Sequence, residues 1–256
     1  MFSRFLVLPA LAIASCGIAS AQGAPSVDDV VAKHIAALGG VDKIRAIKTS
    51  KTTGKMILGG GQMEASMVAY ARRPAQRMEI TMQGQKIVQA FDGTTAWMIN
   101  PMMGGAEPQR MPADEAKAAA ADADSDGSPL IDYKTKGNKV ELQGKEDVEG
   151  AMAYKLRITL KSGNATTLLI DEKSYLPVKT ITKRKQMGQE VELEAYTSNY
   201  KAVDGVMMPF NSEIRVGGRT MMQSVIDKIE TNVPVDDAMF AFPGRPEPAA
   251  APKPQQ

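Results

Sequence analysis

The sequence has very little of the chemistry that most enzymes use. Its 256 residues include one cysteine, Cys16, and one histidine, His34. A Ser-His or Cys-His nucleophilic site would therefore have a single candidate base, and zinc would lack most of its usual ligands. No glycine-rich phosphate loop precedes a helix, since Gly59-Gly60-Gly61 fits a hairpin turn better. These shortages predict a protein that is not an enzyme and has no cofactor.

Net charge and long apolar runs are also scarce. The formal net charge of +2 gives no reason to expect nucleic-acid binding or a general attraction to anionic lipid. The apolar run at residues 5–13 is shorter than the roughly 20 residues of a membrane-spanning helix. It follows Arg4 and precedes Ala19-Ser20-Ala21, which is the pattern of a secretory signal peptide cleaved after Ala21. The alternative is a lipoprotein anchored at Cys16, because Ile13-Ala14-Ser15-Cys16 resembles a lipobox.

Two helices are predicted at the start of the mature chain. A helical stripe of apolar residues begins after Ser26, which suits an N-cap, and stops at Gly39-Gly40. The members of this stripe are Val27, Val30, Val31, Ile35 and Leu38. A shorter helix is expected over residues 41–47. His34 lies beside the stripe, so we expect it on the helix surface or against a covering element.

From residue 51 the apolar period changes from helical to two, which predicts strands. Short glycine-centred turns between consecutive segments indicate an antiparallel meander. The predicted strands are residues 51–58, 63–70, 76–82, 86–92, 95–100, 139–144, 152–161, 165–171, 178–185, 189–200, 206–216 and 219–229.

The meander is interrupted at residues 101–129, where a short alanine-rich helix is predicted over 112–122. We expect a mainly β (α+β) fold with one large curved antiparallel sheet and helices over its apolar face. The predicted organisation is a signal peptide (1–21), one domain (22–243) and a disordered proline- and alanine-rich tail (244–256).

Acidic residues offer weak candidates for chemistry. Glu190, Glu192 and Glu194 alternate along one predicted strand, which is the ordinary pattern of a solvated sheet face. Asp122, Asp124 and Asp126 resemble a calcium loop faintly, but no glutamate stands at the twelfth position. We therefore predict no metal site.

Methionine is abundant, with 17 residues against 6 Phe, 6 Tyr and 1 Trp. Its unbranched, polarizable side chain suits apolar surfaces that must adapt to varied partners. Several methionines alternate on adjacent predicted strands, where they could form one continuous face; plain packing between sheet and helix is the competing interpretation. The predicted cavity-lining residues are Met56, Leu58, Met63, Met67, Met78, Ile80, Met82, Trp97, Leu156 and Ile158.

Several segments resemble the outer membrane lipoprotein-sorting protein group, which is related to the LolA and LolB lipoprotein carriers. They are residues 170–179 (IDEKSYLPVK), 199–210 (NYKAVDGVMMPF), 229–240 (IETNVPVDDAMF), 91–97 (FDGTTAW) and the "ALGG" that ends the first helix. This resemblance implies an open half-barrel with helices as a lid over an apolar cavity. It also implies a periplasmic carrier of acyl chains, although no local motif for handing over cargo can be mapped onto this chain.

The expected function is therefore periplasmic binding and carriage of a lipid, or of lipoprotein acyl chains, in envelope lipoprotein sorting. An inner- or outer-membrane transfer partner would be compatible with this role. The alternative is an envelope sensor that uses the same cavity to signal to a membrane partner. A hydrolase that uses the acidic strand is a distant third.

Overall fold

The computed structural model describes residues 25–113, 116, 128–186 and 189–243. The predicted signal peptide, most of the predicted 112–122 helix, the three aspartates of the calcium-like segment and the 244–256 tail lie outside these ranges. Within them, no helix is both long enough and apolar enough to span a membrane.

Two short helices precede the sheet. Helix α1 (Val27–Ala37) begins with a capping box, in which the Ser26 hydroxyl accepts from the Asp29 amide and the Asp29 carboxylate accepts from the Ser26 amide, both at 3.1 Å. Helix α2 (Val41–Ala46) follows after two glycines with positive φ. Both helices lie where the sequence predicts them.

Thirteen strands follow. They are β1 (Ser50–Leu58), β2 (Met63–Arg72), β3 (Ala75–Met82), β4 (Gln85–Phe91), β5 (Ala96–Asn100), β6 (Gly105–Arg110), β7 (Lys139–Val148), β8 (Ala151–Thr159), β9 (Ala165–Asp171), β10 (Pro177–Gln186), β11 (Gln189–Val203), β12 (Val206–Val216) and β13 (Arg219–Thr231).

The strands form one antiparallel sheet in the order β6-β5-β4-β3-β2-β1-β13-β12-β11-β10-β9-β8-β7. Since β6 and β7 are the two edges and do not pair, the sheet is a curved, open half-barrel, as predicted. One expectation was wrong: the meander does not stop at residue 100. A 3-10 turn at Pro101–Met103 leads into β6, a further edge strand, so the insertion begins after residue 110.

Directly paired residues of an antiparallel sheet point to the same face. One face runs from Leu156 through Leu168, Thr180, Ala195, Ile214, Met222 and Leu58 to Met63, each directly opposite the next. Helix α1 packs on this face, so we call it the helix face and the other the opposite face.

The largest core cluster lies between α1 and the β7–β9 side of the helix face. Val30 and Val31 pack with Leu156, Ile158 and Leu168, and all five side chains are buried. A second cluster joins α2 to β12 through Ile44, Leu38 and Val206, with Met208 packed against it. The helices thus cover the β7–β9 and β12 part of the helix face.

A third cluster lies on the opposite face, at the other half of the sheet. Val88, Ala90 and Trp97 are buried there, and Phe242 from the C-terminal segment packs against them. The Trp97 indole donates a 2.8 Å hydrogen bond to the Phe240 carbonyl. The two ends of the described chain therefore cover different faces and different halves of the sheet.

Candidate functional site

The predicted methionines of β1–β3 share one face. Met56 lies directly opposite Ala65, and Leu58 lies opposite Met63. Met67 pairs with Ile80. Met78 and Met82 lie two residues before and after Ile80 along β3, so they share its face. We call this set the methionine patch; its members are Met56, Leu58, Met63, Met67, Met78, Ile80 and Met82.

Three methionines of the patch lie opposite small residues. Met56 faces Ala65, Met67 faces Gly54, and Met78 faces Ala69 across the strand pairs. A flexible thioether side chain beside a glycine or alanine has room to change rotamer and to lie across the neighbouring strand. Sequence reasoning identified the methionines but missed this pairing, because it depends on strand register.

The strand pairing requires glycine at position 54. A Cβ at this position would lie 2.3 Å from the Val225 carbonyl oxygen, where β1 and β13 shift register between Thr53 and Gly54. The bulge therefore excludes a side chain from the centre of the patch. Met67 therefore lies opposite backbone atoms without a side chain.

The patch is partly accessible. Met56, Met67 and Met82 are buried, whereas Leu58, Met78 and Ile80 are half-buried and Met63 is 42% exposed. Further apolar residues extend it: Ile87 lies opposite Ile80, and Met222 lies opposite both Leu58 and Ile214. The result is an apolar surface that crosses β12, β13 and β1 to β4, beyond the part that α1 and α2 cover.

Three predicted cavity residues do not line this surface. Leu156 and Ile158 share the helix face, but both are fully buried in the cluster under α1 and act as core. Trp97 pairs with Ala90 on the opposite face and is buried beneath the C-terminal segment. Its prediction as a cavity residue was wrong, because one residue of register reverses the face.

His34 is fully buried, so it does not lie on the helix surface, which was one of its two expected positions. Its Nδ1 lies 2.9 Å from the Tyr175 carbonyl oxygen and its Nε2 lies 3.1 Å from the Ser128 hydroxyl. Burial lowers the pKa of His34. The ring thus links α1 to the β9–β10 turn and to the end of the insertion. The Ser128 hydroxyl that it contacts is buried and also accepts a 3.3 Å hydrogen bond from the Leu130 amide, so this Ser-His pair has a structural role.

The acidic strand carries ion pairs on the opposite face. Glu194 pairs with Lys179 at 2.5 Å and Glu190 with Lys183 at 3.0 Å. The guanidinium of Arg215 stacks 4.0 Å from the Tyr196 ring centroid. Glu190 and Glu192 are exposed, as expected of a solvated face, whereas the Glu194 and Lys179 side chains are only 21% and 11% exposed.

A cleft of about 390 Å³ lies beside these ion pairs, lined in part by Tyr196, Asn211, Glu213, Arg215 and Gln223. Glu213 accepts from Arg215 at 2.6 Å, and Arg215 also pairs with Glu149 at 2.8 Å. The Arg215 guanidinium, together with the Thr220 hydroxyl, holds the pKa of Glu213 below its usual value. The cleft is polar and its charges are satisfied internally, which makes it a poor site for an acyl chain. Throughout the described ranges, no group of three or more His, Cys, Asp or Glu side chains could hold a metal.

Comparison with solved structures identifies the fold. A DUF1329 family protein from Desulfovibrio piger superposes with a TM-score of 0.57 at 16% identity, over 85% of this chain and 98% of that one. A putative outer membrane lipoprotein-sorting protein domain from Vibrio parahaemolyticus gives 0.54 at 13%, over 82% and 94%. A LolA superfamily protein from Nitrosomonas europaea gives 0.54 at 14%, over 85% and 98%.

The chain therefore has a LolA-like fold: an open half-barrel with helices on one face. No protein-family model matches the sequence, and no curated protein matches it. At these identities the likeness establishes the fold alone.

Proposed function

We propose that this protein is a periplasmic carrier that binds acyl chains, of a lipid or a lipoprotein, on the methionine patch. The observation that carries the proposal is the register of β1–β3, which places the methionines on one face, three of them opposite a glycine or an alanine. This surface is apolar, adaptable and partly open, as a binding site for flexible chains requires. It needs no catalytic group, and the proposed role is not enzymatic.

The energetics favour such a ligand. Each methylene removed from water contributes about 0.8 kcal/mol. A long acyl chain therefore gains enough free energy to offset the loss of its own conformational freedom and the loss of any protein contacts that it displaces from the patch. The likeness to a lipoprotein-sorting domain and to a LolA superfamily protein supports the same class of ligand. A role in envelope lipoprotein sorting, with a membrane protein receiving the cargo, is the form of this function that we propose.

The decisive experiment compares aspartate substitutions at two adjacent positions of β3. Ile80 is half-buried on the helix face; Thr81 is half-buried on the opposite face, where it pairs with Ser66 and Lys86. The wild-type protein, Ile80→Asp and Thr81→Asp would be purified from periplasm without detergent. Mass spectrometry of their organic extracts would then measure bound lipid per protein.

We expect bound lipid in the wild type and in Thr81→Asp, and a loss of at least about tenfold in Ile80→Asp, because a carboxylate in an apolar site is costly to desolvate. Circular dichroism would establish that both variants are folded. Equal lipid in all three proteins would show that the patch is not the site, and an empty extract from folded wild-type protein would contradict the carrier function.

A further inference from the structure

One end of the sheet is built from exposed glycine turns. Alternate hairpin turns of an antiparallel sheet lie at the same end, and at this end the described turns are residues 59–62, 83–84, 101–104, 160–164 and 217–218. We call this the glycine end. Gly60, Gly61, Gly84, Gly104, Gly217 and Gly218 have positive φ, and a Cβ on any of them would meet nothing within 4 Å. Backbone at this end can therefore approach a flat partner closely.

Exposed methionines flank these turns. Of the five exposed large hydrophobic residues in the described chain, three lie at the glycine end: Met63 (42%), Met102 (45%) and Met221 (53%). Met63 and Met221 border the same hairpin, since the Gly59 amide donates to the Met221 carbonyl at 3.3 Å and Leu58 pairs with Met63. Met102 lies on the turn between β5 and β6, and β5 is three strands from β2 and five from β13 in the sheet.

Charge is distributed unevenly between the two ends, although its sum is small. The described turns of the glycine end contain no acidic residue and include Lys161, and Arg219 is exposed beside them. The other exposed charges that flank these turns include Glu64, which pairs with Lys55, and Lys86, which pairs with Glu79. The turns at the other end include Asp92, Glu149, Glu172 and Asp204, along with the bases Arg73 and Lys173. A negatively charged surface would therefore favour the glycine end.

We propose that the glycine end docks on an anionic phospholipid bilayer. The exposed thioethers insert at the headgroup level, the glycine turns allow close approach, and the neighbouring cations interact with the lipid phosphates. Met63 belongs both to this end and to the methionine patch, so docking would place the patch next to the membrane. This inference goes beyond the proposed function and does not require it.

The test is co-sedimentation of the full chain with vesicles of phosphatidylglycerol and phosphatidylcholine, or of phosphatidylcholine alone. Met221→Asp is compared with Met152→Asp. Met152 is 41% exposed and follows the β7–β8 turn at the other end, so the control makes the same change at similar exposure. Neither residue belongs to the methionine patch.

We expect the wild type to bind the anionic vesicles, with weaker binding at high salt and on phosphatidylcholine alone. Met221→Asp should weaken binding at least about fivefold, because it removes an inserted side chain and adds a like charge. Met152→Asp should stay within about twofold of the wild type. Equal weakening in both variants, or no binding by the wild type, would overturn the proposal.

Measuring extracted lipid on the same proteins separates the two proposals. Met221→Asp should keep its cargo, and Ile80→Asp should lose cargo while still binding vesicles. A protein that binds vesicles without any cargo would refute only the carrier function. If the protein contains extracted lipid but does not co-sediment with anionic vesicles, only the docking proposal would be refuted.

Discussion

At the residue scale, one histidine has an unexpected structural role. His34 links three separated parts of the chain, because it stands on α1 and contacts the Tyr175 carbonyl and the Ser128 hydroxyl. Tyr175 in turn stacks on Tyr154, and its hydroxyl lies 3.2 Å from the Lys33 ammonium. Burial disfavours the protonated ring, so this link is most stable when His34 is neutral.

The linkage gives a prediction about pH. Since the pKa of His34 is lower in the folded state than in the unfolded state, the unfolded chain binds the proton first as pH falls. The stability that neutral His34 contributes is present above its unfolded pKa of about 6.5 and is lost as pH falls toward the folded value. Between pH 7.5 and pH 5.5, the free energy of unfolding measured in urea should fall more for the wild type than for His34→Gln.

His34 is the only histidine, so the difference between these two proteins isolates its titration. The extra slope cannot exceed about 1.4 kcal/mol per pH unit for one group. An identical pH dependence in both proteins would show that the ring does not resist protonation.

The position of the methionines on one face of the sheet was predictable from the sequence. Alternation predicted that Met56, Met63, Met67, Met78 and Met82 share a face, and the pairing confirms it. Whether that face binds acyl chains stays a prediction. The same alternation placed Gly54, Ala65 and Ala69 on this face, but which methionine lies opposite each of them depends on strand register.

At the element scale, the contact between α1 and the β11–β12 turn joins two segments of the family resemblance. The "ALGG" that ends α1 lies against the "DGVMMPF" turn: the Met207 amide donates to the Leu38 carbonyl at 2.9 Å. Gly39 has φ of +114°, and a Cβ there would lie 2.1 Å from the Gly205 carbonyl oxygen. The helix can end at this place only because Gly39 has no side chain.

We therefore predict that Gly39→Ala destabilises the fold more than a glycine change that strains the backbone alone. Gly60 has φ of +70° with nothing within 4 Å, so Gly60→Ala should cost about 1–2 kcal/mol of unfolding free energy. Gly39→Ala should cost several kcal/mol, because α1 or the β11–β12 turn must move. Urea denaturation of both variants would measure the difference, and equal losses would contradict the proposed close packing.

Element boundaries were largely predictable, since period-two alternation and glycine turns are local features. All twelve predicted strands form within a few residues of their expected limits. Strand β6 was missed because its sequence, GAEPQR, has neither alternation nor bulky β-formers. It pairs with β5 because an edge position requires hydrogen bonding on only one side.

At the scale of the whole molecule, the two ends of the described chain stabilise opposite halves of one sheet. Helices α1 and α2 pack on the helix face over β7–β9 and β12, whereas Phe240 and Phe242 approach Trp97 on the opposite face of β3–β5. Arg77 adds a 2.8 Å hydrogen bond from its guanidinium to the Met239 carbonyl. A sheet this long therefore has separate cores rather than one.

Removing the C-terminal anchor should weaken the whole fold. Phe240 is 1% exposed, so Phe240→Ala should lower the unfolding free energy by about 3–5 kcal/mol and shift the emission of Trp97, the only tryptophan, to longer wavelength. Met239→Ala is the matched control, because Met239 is half-buried and its carbonyl contact with Arg77 involves the backbone. If both variants lose the same stability, the segment does not anchor this half of the sheet.

The sequence alone determined the positions of α1, α2 and twelve of the thirteen strands, the antiparallel order of the hairpins and the alternation that places methionines together, because each depends on residues close in the chain. Tertiary structure decided the face of Trp97, the burial of His34, the core role of Leu156 and Ile158, and the clustering of glycine turns and exposed methionines at one end. Those features depend on register and on contacts between residues more than a hundred positions apart, such as Trp97 with Phe240 and His34 with Tyr175. Such contacts leave no local periodicity, so only the folded chain shows them.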